Sequence, residues 1–561
     1  MFPSPLYSVR SLRFLLPSGN PLGWSAADFT LAVLALALVA ALLLWPRIKP
    51  CIDRIAGHPV ASLAVCGSLP VVLRLALLGS HPAPTPNTAD DFSYLLLGDT
   101  LAHFRLANPV HPMSRFFEGV FTLQHPSYSS IFPAGQGIVL ALGELVFRNP
   151  WAGVLLSVGA FCALCCWMLR GWTAPRWALV GGILAGLEFG PLSAWMNDYW
   201  GGAVSAAAGC LVFGALPRLR ESGRTRDAVL LGLGLGLEMV TRPFEFVVLS
   251  LVVAGWFALR LGANPGRRQT GAILLALLPA AGLTLLQNKA VTGDWVRLPY
   301  LESRYEYGIP ATFTLQPNPV PHRELTVEQQ LDYEGQSITH GTQPETVMRW
   351  VSRLGERVRF FRFFFFAPLY LALVAFLPAL RERRFLWLTG AVALFWMADN
   401  FYPFFYPHYV AAVACVLVLM SVEGLRRMSR YTPEGARLIL LLSFAQFAFW
   451  YGIQVPGNRD LSIATAAYES SDVINSGDPE GRAAINEKLR AAPGKQLVFV
   501  HYFPQHGPRD WIHNDADIDR SRVVWAIDRG AEDDARLRAY YPDRTVWLLE
   551  PDARPPRLTP Q

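Results

Sequence analysis

Apolar runs long enough to be membrane spans recur along the chain as far as residue 450. A bilayer core of ~30 Å takes roughly 17–25 apolar residues in helical form. The clearest runs are Phe29–Trp45, Val60–Gly79, Trp151–Leu169, Tyr199–Leu216, Phe244–Leu259, Thr270–Leu286, Phe361–Leu380 and Leu438–Trp450. Shorter ones are Trp177–Phe189, Ala228–Val240, Phe385–Ala398 and Tyr409–Val422. The polar positions between the runs orient them. Every second linker is rich in arginine: Arg47 and Arg54, Arg170 and Arg176, Arg218 to Arg226, Arg260 to Arg268, Arg381 to Arg384, and Arg426 to Arg437. Of the short linkers between them, Gly190–Asp198 and Asn400–His408 hold no lysine or arginine, and Thr241–Pro243 holds one. Basic residues concentrate in short cytoplasmic loops, so this alternation places both termini outside. The stretch Gln136–Phe147 is too short to cross. It reads as an interfacial or re-entrant helix; a tilted crossing would make the topology thirteen-pass. Trp45-Pro46-Arg47 offers no small-residue cleavage site after the first run, so this run is not a removable signal peptide.

The pattern changes after residue 450. Gln496–Tyr502, Val523–Ile527 and Thr545–Leu549 are short β-branched and aromatic runs, which predict buried strands. Ala483–Ala491 and Asp533–Tyr540 predict helices. The expected architecture is a polytopic α-helical membrane protein of about twelve spans with a small C-terminal extracytoplasmic α/β domain. Its segments are 1–79 with two spans, 80–150 as a first outer loop, 151–288 as spans, 289–360 as a second large outer loop, 361–450 as spans and 451–561 as the tail.

Composition sharpens this picture. Only 16% of residues are charged, against about 25% in soluble chains. That excludes a disordered chain and a nucleic-acid binder with a broad basic face. The net charge of +6 divides unevenly. From Tyr451 onward there are 14 basic and 17 acidic residues, and the remainder holds 35 and 26. The positive excess is therefore largely the cytoplasmic arginine that orients the spans. None of the seven cysteines lies in an outer segment, so no structural disulfide is expected. Cys162, Cys165 and Cys166 sit mid-helix without a histidine partner and read as packing residues. Asp515, Asp517 and Asp519 imitate the start of a calcium loop. Arg520 and Ala526 occupy its glycine and glutamate positions, so a solvated acidic turn is the better reading.

The most informative segment is Thr88–Pro112, on the outer face directly after the second span. Asp90 and Asp91 stand side by side before a short amphipathic helix. Acids at a helix start are favoured by its dipole. Capping accounts for one acid better than for two. A carboxylate at the water–membrane boundary is also suited to take a proton from an acceptor hydroxyl.

An outer loop opening Asp-acid-x-x-Tyr (Asp90, Asp91, Tyr94) resembles the GT-C superfamily of membrane glycosyltransferases. That group includes protein O-mannosyltransferases and the lipid A aminoarabinose transferases. Further similar features follow in order. They are His125-Pro126 with Phe132-Pro133-Ala134-Gly135, Asn197-Asp198 at the outer end of a span, Gly232–Pro243 ending in Thr-Arg, and Tyr406–Tyr409 opening a late span. The likeness covers about residues 60–450. It departs in having aspartate where glutamate is commoner at the second acid, an extra first span, and a tail that fits no pattern.

The resemblance implies an inverting transfer from a polyprenyl-phosphate-sugar donor to a glycan, lipid or protein acceptor. This would take place at the outer, periplasmic face of a bacterial-type inner membrane. Asp90, with Asp91 beside it, would supply the base. Arg242, Lys289, Arg297 and Arg304 are the outer cations that would hold the donor phosphate. Tyr94, His125, Asn197, Asp198, Tyr305 and His408 would contact substrate. No cofactor is certain and a divalent cation stays open. No HxxxH or HExxH spacing supports a metal site. Snorkelling accounts equally well for Lys289, pairing with Glu245 or Glu238 for Arg242, and the interfacial aromatic belt for Tyr305. Two other readings stand beside the enzyme. A transporter or flippase would need broken spans and repeats at the midplane, which the sequence does not show. A membrane scaffold would need a tail that binds a partner.

Overall fold

The computed structural model describes residues 26–262, 265–341, 343–455, 474, 478, 481–507 and 509–561. The first 25 residues and most of 456–480 lie outside the described residues, and so do the parts of the first and last segments that fall on them.

Each predicted run coincides with helix, but not all the helices are of spanning length. Pro59–Ala76, Pro150–Leu169, Ala203–Ser222, Arg267–Thr292, Pro407–Tyr431 and Pro433–Gln454 are long and apolar enough to cross. Among the described residues, two bent pairs would raise the number from six to eight. The expectation of about twelve full spans is thus met by fewer long helices. Pro175–Glu188, Thr225–Thr241, Pro243–Ala258 and Arg383–Asp399 have 14, 17, 16 and 17 residues. At ~1.5 Å per residue each falls short of ~30 Å. Pro175 and Pro243 sit at the first turn and fix where two of them begin.

The run Phe361–Leu380 is not one straight span. A helical arm to Phe364 meets a second arm, Leu369–Arg381, at 113°. Phe363, Phe364, Phe365 and Phe366 turn inward and are buried at the bend. Gln136–Phe147 lies within a 14-residue helix, Ala134–Phe147. It packs closely on Ala89–Ala102: a Cβ on Gly98 would lie 2.7 Å from Leu140 Cβ.

The tail contains the expected strands. Val523–Ile527, Lys495–Val500, Arg544–Glu550 and Arg557–Pro560 lie side by side in that order. The first three are parallel and the last antiparallel. Helices Arg482–Ala491 and Ala531–Tyr540 accompany them. One hydrophobic core joins this sheet to the segment 80–150: Leu497, Phe499 and Val524 pack with Leu96, Phe116 and Phe117. Asp99 accepts a hydrogen bond from the Ala516 amide at 2.6 Å. Arg482 lies between the rings of Phe92 and Trp511, at 4.5 and 4.3 Å. The imitation calcium turn is part of the same junction, since Asp519 accepts from Tyr541 at 2.6 Å and faces His111 at 3.1 Å.

Candidate functional site

Thr88 starts the helix Ala89–Ala102 by accepting from the Asp91 amide at 3.2 Å. Asp91 returns the contact: its Oδ2 accepts from the amides of Asn87 and Thr88 at 3.2 and 3.4 Å. Its other oxygen accepts from the Tyr199 amide at 3.0 Å. Both oxygens of Asp91 are therefore committed to backbone, and the side chain is buried. Asp90 precedes it by about 100° around the helix and lines a cavity of about 460 Å³. The two adjacent acids thus have different roles, one closing the capping box and one facing open space.

The cavity volume is within the ~300–1,000 Å³ usual for small-molecule sites. Its wall is assembled from distant parts of the chain. Asp90 and Tyr94 come from the helix Ala89–Ala102, and Arg242 and Glu245 from the junction of two helices. Tyr300 and Arg304 come from the second loop, and Tyr402, His408 and Tyr409 from the start of a late helix. Arg242 pairs with Glu245 at 3.2 Å and stacks over the Tyr409 ring at 4.8 Å. Arg304 donates to the carbonyls of Pro310 and Ala311, both at 2.9 Å, and burial lowers its pKa. Tyr94 stacks on Phe132 with ring centres 4.2 Å apart.

Burial raises the Asp90 carboxyl to about 7, with the charges of Asp91 and Asp332 adding to the rise and Arg242 opposing it. Burial also raises Asp91, against its hydrogen bonds from Tyr199, Asn87 and Thr88. A solvated carboxyl titrates near ~4.

The structure gathers Asp90, Tyr94, Arg242, Arg304 and His408 around one space. The other residues singled out in the sequence lie elsewhere. Lys289 is exposed and donates to the Gly293 carbonyl at 2.5 Å, closing its own helix end. Arg297, itself exposed, pairs with the buried Glu302 at 2.8 Å. Tyr305 stacks on His322 at 4.2 Å, away from the cavity. His125 is exposed and faces Ser114 at 3.3 Å. Asn197 accepts from buried Arg74 at 2.7 Å, and Asp198 adjoins the Asp91–Tyr199 contact.

Among the polar residues of the wall that escaped sequence reasoning are Glu328, Asp332, Gln336 and Asp510. The first three share one side of helix Val327–His340, which Thr326 and Gln329 start with a capping box. Burial raises Asp332 to about 6, while its hydrogen bond from Gln336 opposes the rise. Glu328 accepts from the Trp511 amide at 3.0 Å, tying this helix to the tail beside Asp510. The Thr-x-x-Gln signature was legible, but it shows where a helix begins, not which cavity it approaches. Among the described residues no three His, Cys, Asp or Glu side chains converge as a metal site.

No protein-family model and no curated protein sequence matches the chain. Among solved structures the chain is similar to ArnT from Cupriavidus metallidurans in the apo state. The identity is 12%, the TM-score 0.49, and the match covers 85% of this chain and 90% of that one. For the same protein bound to undecaprenyl phosphate, the identity is 12%, the TM-score 0.47 and the coverages 87% and 92%. The oligosaccharyltransferase of Archaeoglobus fulgidus, in complex with zinc and sulfate, is similar at 12% identity and TM-score 0.41. That match covers 77% of this chain but only 60% of the oligosaccharyltransferase.

Proposed function

We propose that this protein is a membrane glycosyltransferase of the GT-C type. It moves a sugar from a polyprenyl-phosphate-linked donor to an acceptor hydroxyl at the outer, periplasmic face of the membrane. The observation that carries this reading is the meeting of Asp90, Arg242 and Arg304 on one cavity wall, drawn from three separate segments. A base and two cations are what an acid–base displacement of a phosphate ester requires. The nature of the donor rests on the sequence resemblance.

In this mechanism the Asp90 carboxylate removes the proton of the acceptor hydroxyl. The oxygen attacks the anomeric carbon from the face opposite the phosphate, and the carbon–oxygen bond to phosphate breaks with inversion. Both electrons of that bond leave on the phosphate, where Arg242 and Arg304 stabilise the added charge. Before donor arrives, Glu245 neutralises Arg242. A carboxyl that titrates near 7 suits the role, because a base works best when its pKa lies near the operating pH. Asp91 takes no proton in this scheme, since its oxygens already accept from three amides. Its part is to position the helix start that carries Asp90.

The test is transfer by the Asp90→Asn protein in detergent or nanodiscs, with folding checked by its melting curve. Loss of transfer in a normally folded protein is expected. Full activity would overturn the assignment of the base.

A further inference from the structure

The helix Val347–Arg357 begins at Thr346, whose hydroxyl accepts from the Arg349 amide at 3.3 Å. It runs on into a tighter turn, Val358–Phe364. At about 100° per residue its side chains fall into three sets. Val347, Val351, Leu354 and Val358 share one face. Ser352, Glu356 and Arg359 share another. Arg353 and Arg357 form a flank beside the apolar face.

Only that flank is gripped by the protein. Arg357 is buried and donates to the carbonyls of Asp399 at 2.6 Å and Pro403 at 3.3 Å, and to that of Tyr402. Arg353 donates to the Asn400 carbonyl at 2.9 Å and pairs with Glu345 at 2.9 Å. Among the described residues little covers the apolar face, on which Leu354 alone is half-buried. Val347 is 82% exposed, Val351 51% and Val358 53%. The protein therefore spends the charged flank on its own backbone and leaves the valines outside. That is the reverse of a helix folded against a core.

Direction supplies the second observation. The arm Val347–Phe364 meets the apolar arm Leu369–Arg381 at 113°. The second arm is embedded among the helices: a Cβ on Gly424 would lie 1.9 Å from the Ala372 carbonyl oxygen. If it runs along the membrane normal, the first arm runs close to the membrane plane. An apolar face, a polar face and an in-plane axis together describe a helix at a lipid–water boundary.

We infer that Val347–Phe364 is an interfacial helix whose valine face is immersed in phospholipid at the outer leaflet. Ser352, Glu356 and Arg359 face the water above it. The arginine flank ties it to the segment Asp399–Phe404. Tyr402, Pro403 and Phe404 of that segment line the cavity. The helix thereby fixes the height of that wall relative to the membrane surface. Exposed Arg359 is placed to meet anionic headgroups, while Arg349 donates to Gln343.

The test uses nitroxide labels on the full chain in nanodiscs of phosphatidylethanolamine and phosphatidylglycerol. Cys51 is the exposed native cysteine and the other six are buried, so Cys51→Ser provides the background. Single cysteines at Val347, Val351, Ser352 and Glu356 are surface changes and spare the fold. Collisions with oxygen, which partitions into lipid, are expected to exceed those with a water-soluble nickel chelate several-fold at 347 and 351. The order is expected to reverse at 352 and 356. Preference for the nickel chelate at all four positions would overturn the inference. Exclusion of both reagents from 347 and 351 would do so too, because protein rather than lipid would then cover the valines.

Discussion

At the scale of single residues, the site turns on a distinction between neighbours. Asp90 and Asp91 are chemically alike, yet one caps a helix and the other faces a cavity. The sequence did hold a signal that separates them. Thr88 and Asp91 stand three apart, as a capping box requires, which leaves Asp90 as the free acid. Titration should reflect this. Asp90 titrates near 7 in the folded chain, against ~3.9 for an unperturbed side chain. Between those values the unfolded chain has lost the proton and the folded chain keeps it. Folding stability therefore falls as pH rises through that window, and the loss is complete above about 7. Asp90→Asn removes the penalty, so it should raise the melting temperature more at pH 8 than at pH 5. An equal shift at both pH values would contradict the buried charge. The wild-type transfer rate should rise as pH climbs through 7 and the base form fills. The cations divide in the same way. Arg304→Gln should lower kcat/KM by about 10–100-fold, the equivalent of one charge-assisted hydrogen bond of ~1.5–3 kcal/mol. Lys289→Gln and Arg297→Gln should keep near wild-type kcat/KM, since neither side chain lines the cavity and their partners are a helix-end carbonyl and Glu302. All three were candidates in the sequence because charge and sidedness are legible there, whereas the direction a side chain takes from a loop is not.

At the scale of elements, hydropathy located the helices but not their lengths or bends. Short helices such as Pro175–Glu188 keep an apolar composition without spanning length, because neighbouring helices bury much of their surface. Sequence sees apolar content and cannot say whether lipid or protein meets it. Close crossings make the same point. A Cβ on Gly209 would lie 1.7 Å from the Ala412 carbonyl oxygen, so helix Ala203–Ser222 touches the turn Pro407–Val413 backbone to backbone. Small residues permit such contact between membrane helices. That turn presents His408 and Tyr409 to the cavity. Gly209→Val should therefore act at a distance. It should cost about 1–3 kcal/mol as an overpacked core does, read as a lower melting temperature. It should also impair transfer by displacing the turn. Normal activity with a normal melting temperature would show that the crossing relaxes without moving the cavity wall.

At the scale of the whole molecule, the tail is the element whose role the sequence left open. Three of its strands and two helices were legible in the sequence, whereas the antiparallel edge strand Arg557–Pro560 was not, because its Arg-Leu-Thr-Pro run carries no β-branched or aromatic pattern. The tail's attachment was not legible either, because Phe92, Leu96, Phe116 and Phe117 read as ordinary apolar loop residues until Phe499 and Arg482 are seen against them. The two parts share one core, and the tail reaches the cavity through Asp510 while the Trp511 amide bonds to Glu328. If the tail were a separate partner-binding module, removing it would leave transfer intact. The shared core predicts otherwise. A chain ending at residue 455 would expose Leu96, Phe116, Phe117 and Tyr128, and would open one side of the wall near Glu328. Transfer should be lost and the membrane part should melt lower. A point substitution separates stability from closure of the site. Phe499→Ala empties a side chain that is 1% exposed and should cost about 3–5 kcal/mol. Asp510→Asn leaves the core untouched. It should alter the KM for acceptor with little change in melting temperature, because the side chain it changes lines the cavity. A truncated chain that still transfers sugar at the full rate would return the tail to the status of an independent domain.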